Sequence, residues 1–426
     1  MTPLFTALLA LWLIPADGDF QAQYVSGLKA LNQQDLPGAK AGLEAANQLQ
    51  PDNPRVWVAL AQTYWRLKET NLAAQAASNA EKFGAEDPVT LRALALFYSE
   101  QDEFLKAGDI EASCAAKDSQ DRSAVTRAML DYLRAAQPKK AIDLALATAG
   151  WEARADIRNL LGKAYEADGQ ILKTLPELRE AVVLKPDDES YYFDLLQALL
   201  SHYNFEAAVG FAEAGRKRFP GSAQIALAAG VAYYGAKGAN QTGAAIDAFL
   251  QTIALDPTVE QPYFFLARLL KDAHDKLPIV TQRFVEYQER NPGSYLGYFL
   301  HAKALMTASR DPEQAESLLR QSIALNGEFW ESHYNLGLLL VKRDALAEAE
   351  KEFRRSTELN PGDPVAHYHL FRVLAGLGKD EEAQAELAVQ RRVSAEQDAY
   401  LTEHAGNVKR LDITPADQGQ AVRPRK

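Results

Sequence analysis

Seven histidines and one cysteine are the side chains of this 426-residue chain best suited to metal or nucleophilic chemistry. Four histidines crowd into the last third, at His301, His333, His367 and His369. If they converged, they would offer imidazole nitrogens of the kind zinc and copper prefer. Their spacing argues otherwise. His367 and His369 lie two apart, which on a helix sends them to different sides. His333 and His367 are about 34 residues apart and occupy one position in successive sequence units, the bulky packing site that Trp57 holds earlier. Cys114 cannot form an internal disulfide or a CxxC pair, and it falls where a small packing residue belongs. No G-x-S-x-G elbow, phosphate-cradling glycine loop, H-E-x-x-H or calcium loop occurs. Asn240-Gln241-Thr242 fits a glycosylation acceptor, but the chain reads as bacterial, which makes the match a coincidence. Carboxylates fall on solvated helix faces. The sequence therefore predicts no enzyme, no catalytic residue, no metal and no cofactor.

The elements that position these residues recur. Trp57, Leu60, Ala61 and Tyr64 are followed by Ala73, and the pattern returns about every 34 residues. Tyrosine keeps step at Tyr98, Tyr132, Tyr165 and Tyr233, with Leu199 in the gap; alanine does so at Ala107, Ala141 and Ala208. Within each unit, apolar residues at three- and four-residue spacing predict two amphipathic helices joined by a short turn. Proline punctuates the units at Pro51, Pro88, Pro186, Pro220, Pro257, Pro292 and Pro361, ending one helix and suiting the first turn of the next. Small residues at Ala61, Gly162, Gly230 and Gly337 mark where paired helices touch. Extra residues near 235–240, and one between Tyr295 and Gly327, predict longer inter-helix turns.

These residues resemble the tetratricopeptide repeat family. The nearest copies are Trp57-Leu60-Ala61-Tyr64-Ala73-Ala80, Leu161-Gly162-Tyr165-Leu178-Ala181-Pro186 and Leu336-Gly337-Leu340-Ala349-Phe353-Pro361. About eleven units fit residues 20–392. The resemblance implies an all-α fold, a right-handed superhelical solenoid of antiparallel helix pairs. It implies residues 393–410 as a polar capping helix, and 411–426 look disordered. It also implies a groove lined by the first helices, holding a protein or peptide partner. The fifth position of successive units, which faces that groove, runs Tyr24, Val58, Arg92, Thr126 and Asn159, then Phe193, Leu227, Phe264, Phe299, Tyr334 and Tyr368. The second series is wholly apolar or aromatic and suits anchoring an apolar or amphipathic segment. Arg92, Arg268 and Arg372 would add charge-assisted contacts, and Trp65 and Tyr234 aromatic surface. The family's terminal-carboxylate grip and its asparagine-ladder groove are unsupported; of their residues only Asn335 is matched.

A net charge of −11 argues against a nucleic-acid partner, which needs a basic footprint. Residues 2–15 are apolar, uncharged and too short to span a bilayer comfortably, and Ala16-Asp17-Gly18 follows at signal-peptidase spacing. Residues 1–18 thus predict an export signal lacking a basic start, or an apolar helix against the first repeat. The first reading places the mature chain, without a membrane span, in the periplasm or outside the cell; the second leaves it cytoplasmic. The sequence points to a binding scaffold, in envelope assembly or secretion, with a module binding a glycan or lipid-linked chain for an enzyme complex as the alternative. Oligomeric state is not predicted.

Overall fold

The computed structural model describes residues 18–117, 121, 123–236 and 239–407. The segments 1–17 and 408–426, with most of the predicted export signal and the whole predicted disordered tail, lie outside them. Among the described residues there are twenty-two α-helices and no strand. They pair in chain order into hairpins. The chain divides into two compact units at Pro186/Asp187.

The first unit contains α1 (Gly18–Asn32), α2 (Leu36–Leu49), α3 (Pro54–Arg66), α4 (Thr70–Phe83) and α5 (Pro88–Ser99). It continues through α6 (Phe104–Lys117), α7 (Ala124–Arg134), α8 (Pro138–Ala147), α9 (Ala155–Ala167) and α10 (Ile171–Leu184). The second contains α11 (Glu189–Ser201), α12 (Phe205–Arg218), α13 (Ala223–Ala236), α14 (Ala239–Leu255), α15 (Gln261–Leu269) and α16 (Leu277–Arg290). It ends with α17 (Tyr295–Thr307), α18 (Pro312–Leu325), α19 (Trp330–Lys342), α20 (Leu346–Leu359), α21 (Pro364–Gly376) and α22 (Asp380–Asn407). Each odd helix except α15 packs on the even helix after it, and within each unit each even helix packs on the odd helix that follows. First helices also touch one another, as α3 does α5 and α15 does α17, whereas second helices do not meet to that extent. A row in which one helix of each pair meets its counterpart curves toward that side, so within each unit the first helices line the inner face.

The period works through three contacts. At the eighth position the first helix carries a residue whose Cβ space the second helix occupies. A Cβ on Gly162 would lie 2.7 Å from Leu178, on Gly337 2.8 Å from Phe353, and on Gly230 2.4 Å from the Phe249 ring. At the eleventh position the recurring tyrosine donates its hydroxyl to a carboxylate of the preceding hairpin. Tyr64 reaches Glu44 at 2.9 Å, Tyr98 Glu81 at 2.5 Å and Tyr132 Asp109 at 2.9 Å. A lysine caps each ring, with Lys106 3.9 Å from the Tyr98 centroid. Burial and the adjacent Glu81 push the Tyr98 hydroxyl up to about 12, so it remains a donor at neutral pH.

The third contact was not legible in sequence. In nine of the first helices the carbonyl of the eleventh residue accepts the backbone N–H five residues on, as in Glu69 to Tyr64 at 2.9 Å and Gln137 to Tyr132 at 2.8 Å. This closes the first helix as a Schellman turn and forces the intervening residue into the left-handed region. Glycine fills that site at Gly169 and Gly378, but Gln34, Lys68, Asp102, Ala136, Tyr203, Ser309 and Asp344 adopt positive φ there. Left-handed backbone costs an L-residue about 1–2 kcal/mol; glycine's extra unfolded entropy returns about half of that. Ala136 is exposed, with φ 53°, so no packing is at stake. Ala136→Gly should stabilise the first unit by roughly 0.5–1 kcal/mol. A lower urea midpoint for the variant would refute this.

Two expectations about length need correction. The extra residues near 235–240 do not make a long turn: α13 ends at Ala236 and α14 begins at Ala239, and the added length enters α14, which has 17 residues against 14 in α12. The capping stretch expected over 393–410 is helical over its described part, but as a continuation of the last repeat's second helix, since α22 runs unbroken from Asp380 to Asn407. No proline interrupts that stretch, and its Ala, Glu, Gln and Arg content favours continuation. The single extra residue between α17 and α18 does lie in their turn.

Candidate functional site

The histidines are part of the scaffold. At the fourth position the side chain's polar tip meets the carbonyl six residues upstream. Trp57 Nε1 donates to Pro51 at 2.7 Å, and the Tyr263 and Tyr298 hydroxyls to Pro257 and Pro292 at 3.3 and 3.1 Å. His333 Nε2 meets the Gly327 carbonyl at 3.1 Å and His367 Nε2 the Pro361 carbonyl at 3.2 Å. A carbonyl only accepts, so Nε2 carries hydrogen in both rings. Each Nδ1 is held by a carboxylate of the second helix, Glu352 at 2.6 Å and Glu386 at 2.7 Å. His369 points elsewhere, stacked on Phe353 with centroids 5.7 Å apart. Burial lowers the affinity of His301 and His369 for a proton, which suits neutral packing groups. Among the described residues no three His, Cys, Asp or Glu side chains are placed to share a metal ion. Cys114 is buried, and desolvation pushes its thiol up to about 11, away from nucleophilic chemistry.

The fifth-position row behaves differently in the two units. In the first, Tyr24, Val58 and Asn159 are each 4% exposed and belong to the core. Arg92 is exposed but bound to Asp121, so it is not the unengaged contact the sequence suggested. In the second unit Phe193, Leu227, Phe264 and Tyr334 are partly open, and Tyr368 is 43% exposed. Tyr234, two turns further along α13, is exposed as well. Phe299 breaks the series. It is 1% exposed beneath Phe329, with ring centroids 5.0 Å apart, and belongs to the packing between α17 and the residue that precedes α19. Only its neighbours can present surface.

Arg268 and Arg372 are both exposed, and among the described residues neither has an ion-pair partner. Sequence reasoning missed two cations beside Arg268. Lys271 lies nearly one turn beyond it, and Lys303 sits at the same ninth position in the next hairpin. The available signal was the spacing from Arg268 to Lys303, which repeats that from Phe264 to Phe299. Lys303 is partly buried, its Nζ 5.3 Å from the Phe299 centroid. Burial chiefly depresses its proton affinity; Glu331 opposes this, and Arg268 and Lys271 add to it. Glu331 is itself raised by burial and lowered by Lys303 and Arg268. The first helices of the second unit and the turn after α15 thus carry partly open aromatic rings and the cations Arg268, Lys271 and Lys303.

No helix among the described residues is long and apolar enough to cross a membrane. Compared by sequence with characterised proteins, the chain matches none. Among solved structures it is similar to the APC/C hetero-tetramer Cut9-Hcn1, at 13% identity over 92% of this chain and 96% of that one, TM-score 0.41. It is also similar to Naa15/Naa10 bound to HypK-THB, at 16% identity over 87% and 58%, TM-score 0.39. A third is YrrB, described as a TPR protein with an unusual peptide-binding site, at 21% identity over 44% and 96%, TM-score 0.34. Residues 299–364, spanning α18, α19 and α20 with most of α17, match the tetratricopeptide repeat family. The chain thus carries tetratricopeptide repeats over the matched residues, and the small-residue and turn contacts seen there, at Gly337 and Asp344, recur in its other hairpins.

Proposed function

We propose that the inner face of the second unit holds a segment of a partner protein, so that the chain is a non-enzymatic assembly scaffold. One observation carries this reading. Phe193, Leu227, Phe264, Tyr334 and Tyr368 share one position on the first helices of the second unit and remain open, Phe299 excepted, where the corresponding Tyr24, Val58 and Asn159 are covered. Aligned aromatic surface on rigid helices presents large contact area at little entropic cost, as anchoring residues do. Arg372 and Arg268 flank it with unengaged guanidinium groups.

Capture from the native host tests the reading. A Phe193→Ala/Phe264→Ala/Tyr368→Ala variant should recover about tenfold less partner than wild type. It should melt near wild type, since none of the three rings is fully buried. Equal recovery by both proteins would remove the proposal. A role in envelope assembly or secretion rests on the apolar 2–15 stretch. N-terminal sequencing that finds Met1 intact in a cytosolic fraction would withdraw it.

A further inference from the structure

Lys303 is a half-buried ammonium with neither a hydrogen bond nor a carboxylate within ion-pair distance among the described residues. Elsewhere in the second unit, cations placed near carboxylates close onto them. Arg320 pairs with Glu316, Arg355 with Glu328, and Lys379 with Glu350. Around Lys303 they do not. Arg268 lies on α15, Lys271 in the 3-10 turn Leu270–Asp272 that follows it, and Lys303 on α17, which packs on both; the carboxylate that acts on Lys303 is Glu331 on α19. Like charges left together near a low-dielectric surface repel one another. An incoming anion would relieve that repulsion, and the chain's net charge of −11 makes a cationic site on it unusual.

We infer that Arg268, Lys271 and Lys303 read acidic side chains of the partner segment whose apolar residues lie on Phe264, Tyr334 and Tyr368. The inference rests on the peptide-binding reading above and adds the chemistry of the ligand. Three cations against Glu331 leave more than one positive charge to satisfy. A single terminal carboxylate would leave part of that uncompensated, whereas two Asp or Glu residues beside an aromatic or aliphatic one would match both charge and surface. Arg268 and Lys271 are exposed and set the approach; Lys303, against Phe299, lies deeper and gains most from pairing.

The test is a selection of random peptides, displayed with no free C-terminus, on the full-length protein. Wild type should enrich segments in which Asp or Glu flanks an aromatic or aliphatic residue. The triple variant R268Q/K271Q/K303Q should keep the apolar preference, lose the acidic one, and bind a wild-type-selected peptide about tenfold or more weakly. R268Q/K271Q, which alters only exposed and unpaired groups, serves if Lys303→Gln lowers the melting temperature. Apolar enrichment without acidic bias, or a bias unchanged in the variants, would overturn the inference and leave the peptide-binding reading intact. No enrichment on wild type would overturn both.

Discussion

Phe353→Ala should destabilise the second unit by roughly 3–5 kcal/mol, the range for a fully buried phenylalanine. Phe353 is 0% exposed on α20 and fills the space left by Gly337 on α19. It also carries the edge of Tyr334, centroids 5.9 Å apart, and the face of His369 from α21. Its loss would open a cavity shared by two hairpins. Neighbour contacts sum along a repeat array, so the variant should release α21 and α22 before the rest of the unit, giving an early phase in urea unfolding. Phe371→Ala is the control: its ring is partly open, and the cost should stay well below that of Phe353→Ala. Equal costs would show that the shared core is not where the stability lies.

Gly230→Val should cost about 1–3 kcal/mol, the usual range for overpacking, and sit at its upper end. The added Cβ would approach the Phe249 ring to 2.4 Å. That ring cannot retreat, because it stacks on Phe265 with centroids 4.8 Å apart, and Phe265 is braced by Tyr234 at 5.1 Å. At Gly162 the nearest obstacle is the Leu178 side chain, aliphatic and not braced by a stacked ring, which can change rotamer, so Gly162→Val should cost less. Adding Phe249→Ala to Gly230→Val should recover part of the loss relative to the two single changes summed. Strict additivity in denaturant melts would show that the two residues do not compete for the same space.

Gly162 and Gly230 also show how much was legible beforehand. Their shared eighth position followed from the period, and so did the packing role of His333 and His367, one repeat apart at the site of Trp57. What separates Gly162 from Gly230 did not follow, since it depends on what braces the opposing side chain. The left-handed turn residues were hidden for another reason. Seven of the nine are not glycine, so the usual marker was missing, and the geometry is imposed by the hydrogen bond to the eleventh carbonyl. The unbroken α22 was missed because a family pattern ends there while helix propensity does not.

By itself, the order of small, aromatic and proline residues determined the hairpins, their pairing and their count. Those features depend on close approach and backbone geometry repeated at short range, which a one-dimensional period records directly. Only the tertiary structure decided that Phe299 lies beneath Phe329 while Tyr368 stays open, and that Arg92 is paired while Lys303 is not. Burial and pairing depend on partners up to thirty residues away, brought near by the particular packing of each hairpin on the next.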